Sequence, residues 1–395
     1  MDLATLKRMT KIDKNEMKKI FMQACDDKEG GHKTVVILLQ KDFNINQRLD
    51  EHWNTPIMMS LIMNNVKIFS LLYDNNANIN LPNLTGTTPL IEAVSEYDGG
   101  FYDTNIVRLL LDKGANPNAS TTLDQTTPLQ SVSVSGNNEF ASLLLEHGAN
   151  IDQQNSNRST ALNLAVEFEH LDTVKLLLKK GADPDIPDKH NIPPIFRAVS
   201  MKLYDIAKEL LERHANPNVY DNDGFSPILL SAQYSDINMF NLLLDNGADI
   251  NDKSKLPIAP HTPLHEAIYN LNDNFIQFLL ERGANYTIRN YGGLTPLQLT
   301  EKIKKEQEKE LAQELKKYQP NEKEKQNENS DIIEYKKTVI ELDNIINTFR
   351  DFIASVGGAS AGGASVGGKR RRRRRKTIKK RRRRHKTTKK RRNKC

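Results

Sequence analysis

Short apolar blocks separated by polar turn residues recur along the chain. One block follows a Thr-Pro pair, as in TTPLIEAV at 87–94, and a later block is rich in Leu, as in LLLEHGANID at 143–152. A Thr hydroxyl can cap a helix, Pro is favoured in a first helical turn, and Gly suits a left-handed helix end. Each unit is therefore predicted to form two helices. The predicted caps are Thr88, Thr127, Thr160 and Thr262, and the predicted helix-ending glycines are Gly114, Gly148, Gly181, Gly247 and Gly283.

One position of the first block recurs eight times at a nearly constant spacing. The residues at this position are Pro56, Pro89, Pro128, Ala161, Pro194, Pro227, Pro263 and Pro296. They are separated by 33, 39, 33, 33, 33, 36 and 33 residues. With the Thr-Pro-Leu-His-x-Ala signature, which HTPLHEAI at 261–268 matches, this period resembles the ankyrin repeat from about residue 16 to residue 300. The resemblance implies an all-α ankyrin-repeat solenoid, in which helix–turn–helix repeats stack to share one core.

Departures from the repeat pattern predict local differences between the repeats. Ala161 replaces Pro in the fourth repeat. In the fifth, Pro193 replaces the capping Thr and His214 replaces the Gly, so this repeat is predicted to be locally weaker. The extra residues fall at 95–105 and 252–261, and both segments are predicted to form loops.

The regions flanking the repeats differ from them in composition. The predicted organisation is an N-terminal segment at 1–15, the ankyrin array with terminal caps at 16–317, a polar linker at 318–330, an amphipathic helix at 331–354, a Gly/Ser/Ala linker at 355–368 and a disordered basic tail at 369–395. The apolar stripe of the helix is Ile332, Tyr335, Val339, Leu342, Ile346, Phe349 and Ile353, widened by Ile333, Ile340 and Phe352. Three heptads are short for an independent coiled coil. The helix is expected either to fold back onto the array or to bind a partner or a second copy.

Charge is distributed very unevenly between the tail and the remaining chain. Residues 369–395 contain 20 basic residues and no acid, whereas the other 368 residues contain 37 basic and 50 acidic residues. The tail is predicted to act as a nuclear import signal or to bind nucleic acid through phosphates, without base specificity because it lacks aromatic residues. Attraction to an anionic membrane or to the acidic body remains open. The residues assigned to this role are Lys369, Arg370, Arg371, Arg372, Arg373, Arg374, Arg375, Lys379, Lys380, Arg381, Arg382, Arg383, Arg384, Lys389, Lys390, Arg391 and Arg392.

No residue pattern indicates an enzyme, a cofactor or a metal site. Cys25 and Cys395 lack metal-ligand spacing, and their scarcity fits a reducing compartment. His261 and His265 lie four residues apart but have no apparent third ligand. GASVGGK at 363–369 resembles a phosphate loop, but lacks the hydroxyl residue and the preceding strand. Without a signal peptide or an apolar span, the protein is expected to be soluble and intracellular, in the nucleus or cytoplasm of a host cell or in the virion.

The resemblance also implies a binding surface on the concave side of the repeats. Its register places three apolar residues at one helix position of successive repeats, and a fourth one position earlier. These residues are Phe168, Met201, Tyr234 and Tyr269. The charged residues expected near them are Glu167, Asp188, Asp221, Asp223, Lys189 and Arg158. Such a row fits a protein-binding stripe, or apolar side chains that only cover the helix ends.

The function indicated is a protein-binding scaffold whose partner is a host protein. The composition rich in Asn, Ile and Lys, together with the Gly/Ser spacer and the basic terminus, resembles ankyrin proteins of large DNA viruses. One alternative is a nucleic-acid-binding or virion-packaging protein that acts mainly through its tail. Another is a substrate adaptor that recruits a ubiquitin ligase through the helix at 331–354, although the Leu-Pro opening of an F-box-like segment is not found there.

Overall fold

The computed structural model describes residues 3–9, 11–95, 104–255, 261–317 and 330–359, with side chains through residue 356. Within these ranges the regular structure is entirely α-helical. Residue contacts divide the chain into two compact units. The first unit is Met1–Asn270 with Gly283–Gly293, and the second is Leu271–Arg282 with Leu294–Cys395.

The first unit is a stack of helical hairpins. Its helices are α1 Leu3–Arg8, α2 Lys14–Asp26, α3 Gly31–Leu39, α4 Pro56–Ile62, α5 Val66–Asp74, α6 Pro89–Val94, α7 Thr104–Asp112, α8 Pro128–Ser135, α9 Asn138–Glu146, α10 Ala161–Glu167, α11 Leu171–Lys180, α12 Pro194–Ser200, α13 Tyr204–Glu212, α14 Pro227–Gln233, α15 Ile237–Asp245 and α16 Pro263–Tyr269. From α4 onward, the even-numbered helix opens each repeat and packs against its equivalents in the neighbouring repeats. The all-α repeat architecture expected from the 33-residue period is therefore confirmed.

The local signals of the repeat act as the sequence predicts. The hydroxyls of Thr88, Thr127 and Thr160 accept hydrogen bonds from backbone N–H groups three residues later. Thr262 instead places its hydroxyl 2.8 Å from Nδ1 of His265. The Leu blocks supply the core, where each fully buried Leu contributes about 2 kcal/mol. At one position, the buried residues are Leu72, Leu110, Leu144, Leu177, Leu210 and Leu243.

A ladder of Asn and Asp side chains, called here the Asx ladder, joins the turns that follow the second helices. Its members are Asn44 and Asn46, Asn78 and Asn80, Asn116 and Asn118, Asn150 and Asp152, Asp183 and Asp185, Asn216 and Asn218, Asp249 and Asn251, and Asn285. Within each turn, the first side chain accepts the backbone N–H two residues later. The second side chain accepts the N–H of the first member of the next pair. Each junction therefore has a hydrogen bond between repeats.

Asn and Asp differ in what they add to this ladder. The carboxamides of Asn80, Asn118 and Asn218 also donate to the carbonyls of three glycines, at 3.0, 3.1 and 3.1 Å. These glycines are Gly114, Gly148 and Gly247. Asp152 and Asp185 accept in the same way, but a carboxylate has no N–H to donate. The junctions made by these two residues therefore lack the second hydrogen bond, which Asn46 and Asn251 do not make either among the described residues.

The fifth repeat has the two departures noted in the sequence. Pro193 precedes α12 without a side-chain cap, and His214 adopts a φ of 72° where Gly181 has 101°. A non-glycine residue in this region costs about 1 kcal/mol or more, consistent with a weaker repeat. Most of the two predicted loops, at 96–103 and 256–260, lies outside the described residues. α1 was not predicted, because its six residues show too little periodicity.

The second unit contains α17 Asp273–Glu281, α18 Pro296–Lys317 and α19 Ser330–Ala359. α19 packs against both α17 and α18. Thr348 donates a hydrogen bond to Asp273 at 2.6 Å, and the Lys304 ammonium lies 2.8 Å from the Asp343 carboxylate. The apolar face of α19 is therefore covered by α17 and α18 within this unit. Its buried residues are Ile332, Leu342, Ile345, Ile346 and Phe349.

The boundaries and the face of α19 differ in detail from the prediction. The helix continues to Ala359, so residues 355–359 of the predicted linker are helical. Extending an existing helix through Gly costs only about 1 kcal/mol per residue, far less than starting one. Ile333 and Ile340 do not widen the buried stripe but are exposed. Residues 318–329 and 360–395, including the Cys395 terminus, lie outside the described residues.

Candidate partner-binding surface

The predicted apolar residues lie at the bends that join the two helices of a repeat. Phe168, Met201 and Tyr234 each directly follow the first helix, with 48, 36 and 39% of their surface exposed. Tyr269 is the last residue of α16 and is also exposed. The first three residues occupy one position in three successive repeats. Lys202 connects two of these bends, since its ammonium lies 4.7 Å from the centre of the Tyr234 ring.

A second apolar row, missed in the sequence, lies beside the first. Leu171, Tyr204 and Ile237 are the first residues of α11, α13 and α15. Tyr204 and Ile237 are exposed and Leu171 is partly buried. Each follows a member of the first row by three residues, a spacing that could have identified the row. The name bend band is used below for these six residues, Phe168, Leu171, Met201, Tyr204, Tyr234 and Ile237.

The bends on either side of the bend band begin with polar residues. The preceding bend, residues 135–138, consists of Ser, Gly and two Asn residues. The following bend begins with Asn270, whose amide donates to the Gln233 carbonyl at 2.6 Å. A compact apolar patch with polar borders is typical of a protein-binding surface. The band therefore covers three successive repeats, and Ile62 and Val66 are also exposed at the bend of the first repeat.

The bends of the fourth and fifth repeats also lack the side-chain cap that normally begins the second helix. At the N-cap of the second helix, Asn137 and Asp236 accept a backbone N–H, whereas His170 and Leu203 provide no cap. A missing cap costs about 1 kcal/mol. His170 instead contacts the Val134 carbonyl at 2.8 Å. Local rules are most often broken where a residue serves a function, and both uncapped helices begin in the bend band.

The charged candidates do not all lie beside the band. Glu167 lies directly before Phe168, with its carboxylate 3.8 Å from the Arg197 guanidinium. Arg197 also binds Asp188 at 2.6 Å, and Asp188 is buried and not part of an acidic surface. Asp188 therefore orders a loop and cannot meet a partner directly.

The remaining charged candidates lie in the loops before the first helices. Lys189 donates to the Asn157 side chain at 2.7 Å, and Asp223 is exposed. Arg158 adopts a φ of 55°, and Asp221 accepts the Phe225 N–H at 2.8 Å. A seven-residue helix of about 10 Å separates these loops from the bends. Lys189 and Asp223 are therefore not brought together with Phe168 and Tyr234.

Exposed apolar residues also occur in the loops before α4, α6 and α8, where the sequence analysis did not place any. They are Trp53, Leu84 and Leu123, the last with 81% of its surface exposed. Trp53 adopts a φ of 64°, and the Arg48 guanidinium lies 5.8 Å from its ring centre. These residues provide comparison sites of similar chemistry outside the bend band.

Cys25 and the histidine pair, His261 and His265, do not form a reactive group within the described part of the chain. Burial raises the pKa of the Cys25 thiol to about 12, so it is not a nucleophile at neutral pH. The ring centres of His261 and His265 lie 6.3 Å apart, and the described residues contain no cluster of three metal ligands. Among the helices described, none is long and apolar enough to cross a membrane. The polybasic residues 369–392 lie outside the described ranges.

Known proteins and a family model are similar to the repeat region of the chain. The family model for ankyrin repeats (3 copies) matches residues 21–121, 100–188 and 195–290. The human "Ankyrin repeat and KH domain-containing protein 1" is 34% identical over 114 residues, covering 29% of this chain and 4% of that protein. "Putative ankyrin repeat protein YahD" of Escherichia coli is 34% identical over 115 residues, covering 29% of this chain and 56% of that protein.

A viral ankyrin-repeat protein is also similar to part of this chain. "Putative ankyrin repeat protein L371" of Acanthamoeba polyphaga mimivirus is 27% identical over 135 residues, covering 34% of this chain and 17% of that protein. The matched region thus spans only part of each of the three relatives. Because the family model covers well over half of the chain, the chain belongs to the ankyrin-repeat family.

Proposed function

We propose that this protein is a non-enzymatic scaffold that binds a protein partner, from a host cell, through the bend band. The observation that supports the proposal is the juxtaposition of six apolar residues on three successive bends. Exposed aromatic residues and Met in a bordered patch are typical anchors of protein interfaces. Glu167, directly before Phe168, and Tyr269, at the end of the next first helix, extend the surface.

The test compares capture of cellular proteins by matched variants of the full chain. Phe168→Ala with Tyr234→Ala is expected to abolish capture of a partner that the unmodified protein retains. Trp53→Ala with Leu123→Ala removes a similar exposed apolar area elsewhere and should leave capture unchanged. Circular dichroism melts establish that both variants are folded. Equal capture by the bend variant and the unmodified protein would refute the proposal.

We assign the basic tail to nuclear targeting or to sequence-independent tethering to nucleic acid. The support is its composition, with 20 basic residues among 27 and no acid. Each neutralised phosphate releases counterions, so about ten contacts would give a salt slope near −9. Full-length protein and a 1–368 truncation are compared in nucleic-acid titrations across salt. Binding by the full-length protein alone, weakening steeply with salt, supports tethering, whereas no binding by either leaves the tail as a targeting signal.

A nucleic-acid-binding or virion-packaging protein that acts mainly through the tail is the second candidate function, and the same composition favours it. It predicts that removing residues 369–395 abolishes function while bend variants have no effect. A ubiquitin-ligase adaptor that docks through α19 is disfavoured. Its apolar residues, including Leu342 and Phe349, are buried against α17 and α18.

A further inference from the structure

We propose that the occupant of the bend band is a basic amphipathic helix of the partner protein. This inference rests on the proposed function and specifies the chemistry of the partner. Three observations support it. They are the charged surroundings of the band, its dimensions, and the poor fit of the basic tail or a second copy as its occupant.

The charged surroundings of the bend band are predominantly acidic. The acids at the three bends and in the first turns of the helices that follow are Glu169, Asp172, Asp205 and Asp236, and Glu167 ends α10. The basic residue at the bends and first turns is Lys202, and Lys175 and Lys208 follow one turn later. Glu167 and Asp172 lie 3.8 Å from Arg197 and Lys175 respectively.

Two acids beside the band make no close ion pair within the part of the chain that the structure describes. Among the described residues, Glu169 and Asp205 have no ion pair within 4.0 Å. Both are exposed. Asp205 lies in the first turn of α13, where the positive end of the helix favours an acid without removing it from solvent. These carboxylates favour Lys and Arg beside the apolar residues of a partner.

The dimensions of the band match the face of a helix. Packed helices lie about 8–10 Å apart, so three successive bends span roughly 20 Å from first to third. A helix covers that distance in about 13 residues. The band has two rows, and an amphipathic helix presents a comparable two-row stripe at i, i+3, i+4 and i+7. An extended segment would present only alternate side chains in one row.

The chain's own candidates for this position fit less well. The basic tail has Ile378 as its only residue with a large apolar side chain, so it cannot cover six apolar residues. A symmetric contact with a second copy would place the same patch against itself. Glu169 and Asp205 would then face the acids of the other copy. A partner that combines apolar and basic residues satisfies both requirements.

The experiment measures binding of fluorescein-labelled synthetic peptides to the full chain by fluorescence anisotropy, at about 0.15 M salt. Each peptide has about 18 residues, enough for five helical turns. The first has a Leu stripe and Lys elsewhere. The second replaces Lys by Glu, and the third replaces Leu by Ser. The Leu/Lys peptide is expected to bind at least about tenfold more tightly than either control peptide.

Variants of the chain separate the apolar and the charged contributions. Tyr204→Ala with Ile237→Ala is expected to weaken binding of the Leu/Lys peptide about tenfold, whereas Trp53→Ala with Leu123→Ala leaves it unchanged. Glu169→Lys with Asp205→Lys is expected to shift the preference toward the Leu/Glu peptide. Thermal melts confirm that each variant is folded.

Several results would overturn the inference. Equal binding of the Lys and Glu peptides, or an unchanged preference after charge reversal, would refute a basic partner. The proposed function would survive this result if the Phe168→Ala with Tyr234→Ala variant still lost partner capture. Displacement of the Leu/Lys peptide by an equimolar synthetic 369–395 peptide would reassign the band to the tail. Light scattering that shows a dimer lost in the Tyr204→Ala with Ile237→Ala variant would reassign it to a second copy.

Discussion

Replacing Asp152 with Asn is expected to stabilise the repeat array by about 0.5–1 kcal/mol. In the native chain, Asp152 accepts the Asp183 N–H at 3.0 Å, but its carboxylate cannot donate. At the equivalent position Asn118 accepts the Asn150 N–H and also donates to the Gly148 carbonyl at 3.1 Å. Asp152→Asn should therefore create the missing bond, in this case to the Gly181 carbonyl. The expected value lies in the lower part of the range for a neutral hydrogen bond, because these turns are exposed to water.

The reverse substitution provides the matched measurement. Asn118→Asp should lower the free energy of unfolding by a similar amount. Asn118→Ala removes both hydrogen bonds and should lower it by about 1–2 kcal/mol. Urea denaturation followed by circular dichroism at pH 7 measures each change. Asp124→Asn, an equivalent change of charge outside the ladder, serves as the control. If Asp152→Asn destabilises the protein, or stabilises it no more than Asp124→Asn does, the side-chain amide does not add the proposed hydrogen bond to the Asx ladder.

Three further predictions concern single features of the array. Gly181→Ala should lower the free energy of unfolding by about 1–2 kcal/mol, because the φ of Gly181 is 101°, although an added Cβ would meet no atom within 4 Å. Thermal or urea unfolding measures this change, and an unchanged stability would contradict the expected backbone strain. The hydrogen bond to the Leu143 carbonyl and the contact with Asp112 raise the pKa of His147 in the folded protein. The protonated imidazole therefore stabilises the fold below about pH 6.5, and this stabilisation is lost as the pH rises through the raised pKa. Urea unfolding of His147→Gln between pH 5 and 8 should lack this component, and an unchanged pH profile would refute it. Leu144→Ala should cost about 2–5 kcal/mol by leaving a core cavity, and a loss below about 1 kcal/mol would contradict its burial.

The sequence predicts the repeats well because their signals are local. The position occupied by Pro89 and its equivalents defines the period, and Thr88 forms the cap expected of it. The Asx ladder is different, since the bond from the Asn150 N–H to Asn118 joins residues 32 apart and depends on how repeats stack. Composition identifies Asn and Asp as turn residues but does not indicate which of them bond across a junction.

The candidate site was predictable in part. Phe168 and Tyr234 share a register position, so their alignment follows from the period alone. Tyr204 and Ile237 begin second helices, where apolar residues usually indicate core, and their exposure becomes apparent only in the structure. The burial of Asp188 likewise depends on Arg197, nine residues away and across a turn.

The last helix shows the same limit. Its period predicts an amphipathic helix, but the identity of the covering elements decides which side chains are buried. Ile345 is buried and Ile340 is exposed, although the predicted stripe included only the latter. Sequence periodicity gives the existence of a face, and packing against α17 and α18 determines its centre.

Site-specific photocross-linking in cells tests the central claim most directly. A benzophenone amino acid is placed at Tyr204, in the bend band, and separately at Tyr291, an exposed aromatic residue outside it. The account predicts a discrete protein adduct from position 204, identifiable by mass spectrometry and lost when Phe168 and Tyr234 are replaced by Ala, and none from position 291. An adduct from position 291 alone, or the same adduct from both positions, would contradict partner binding at the band.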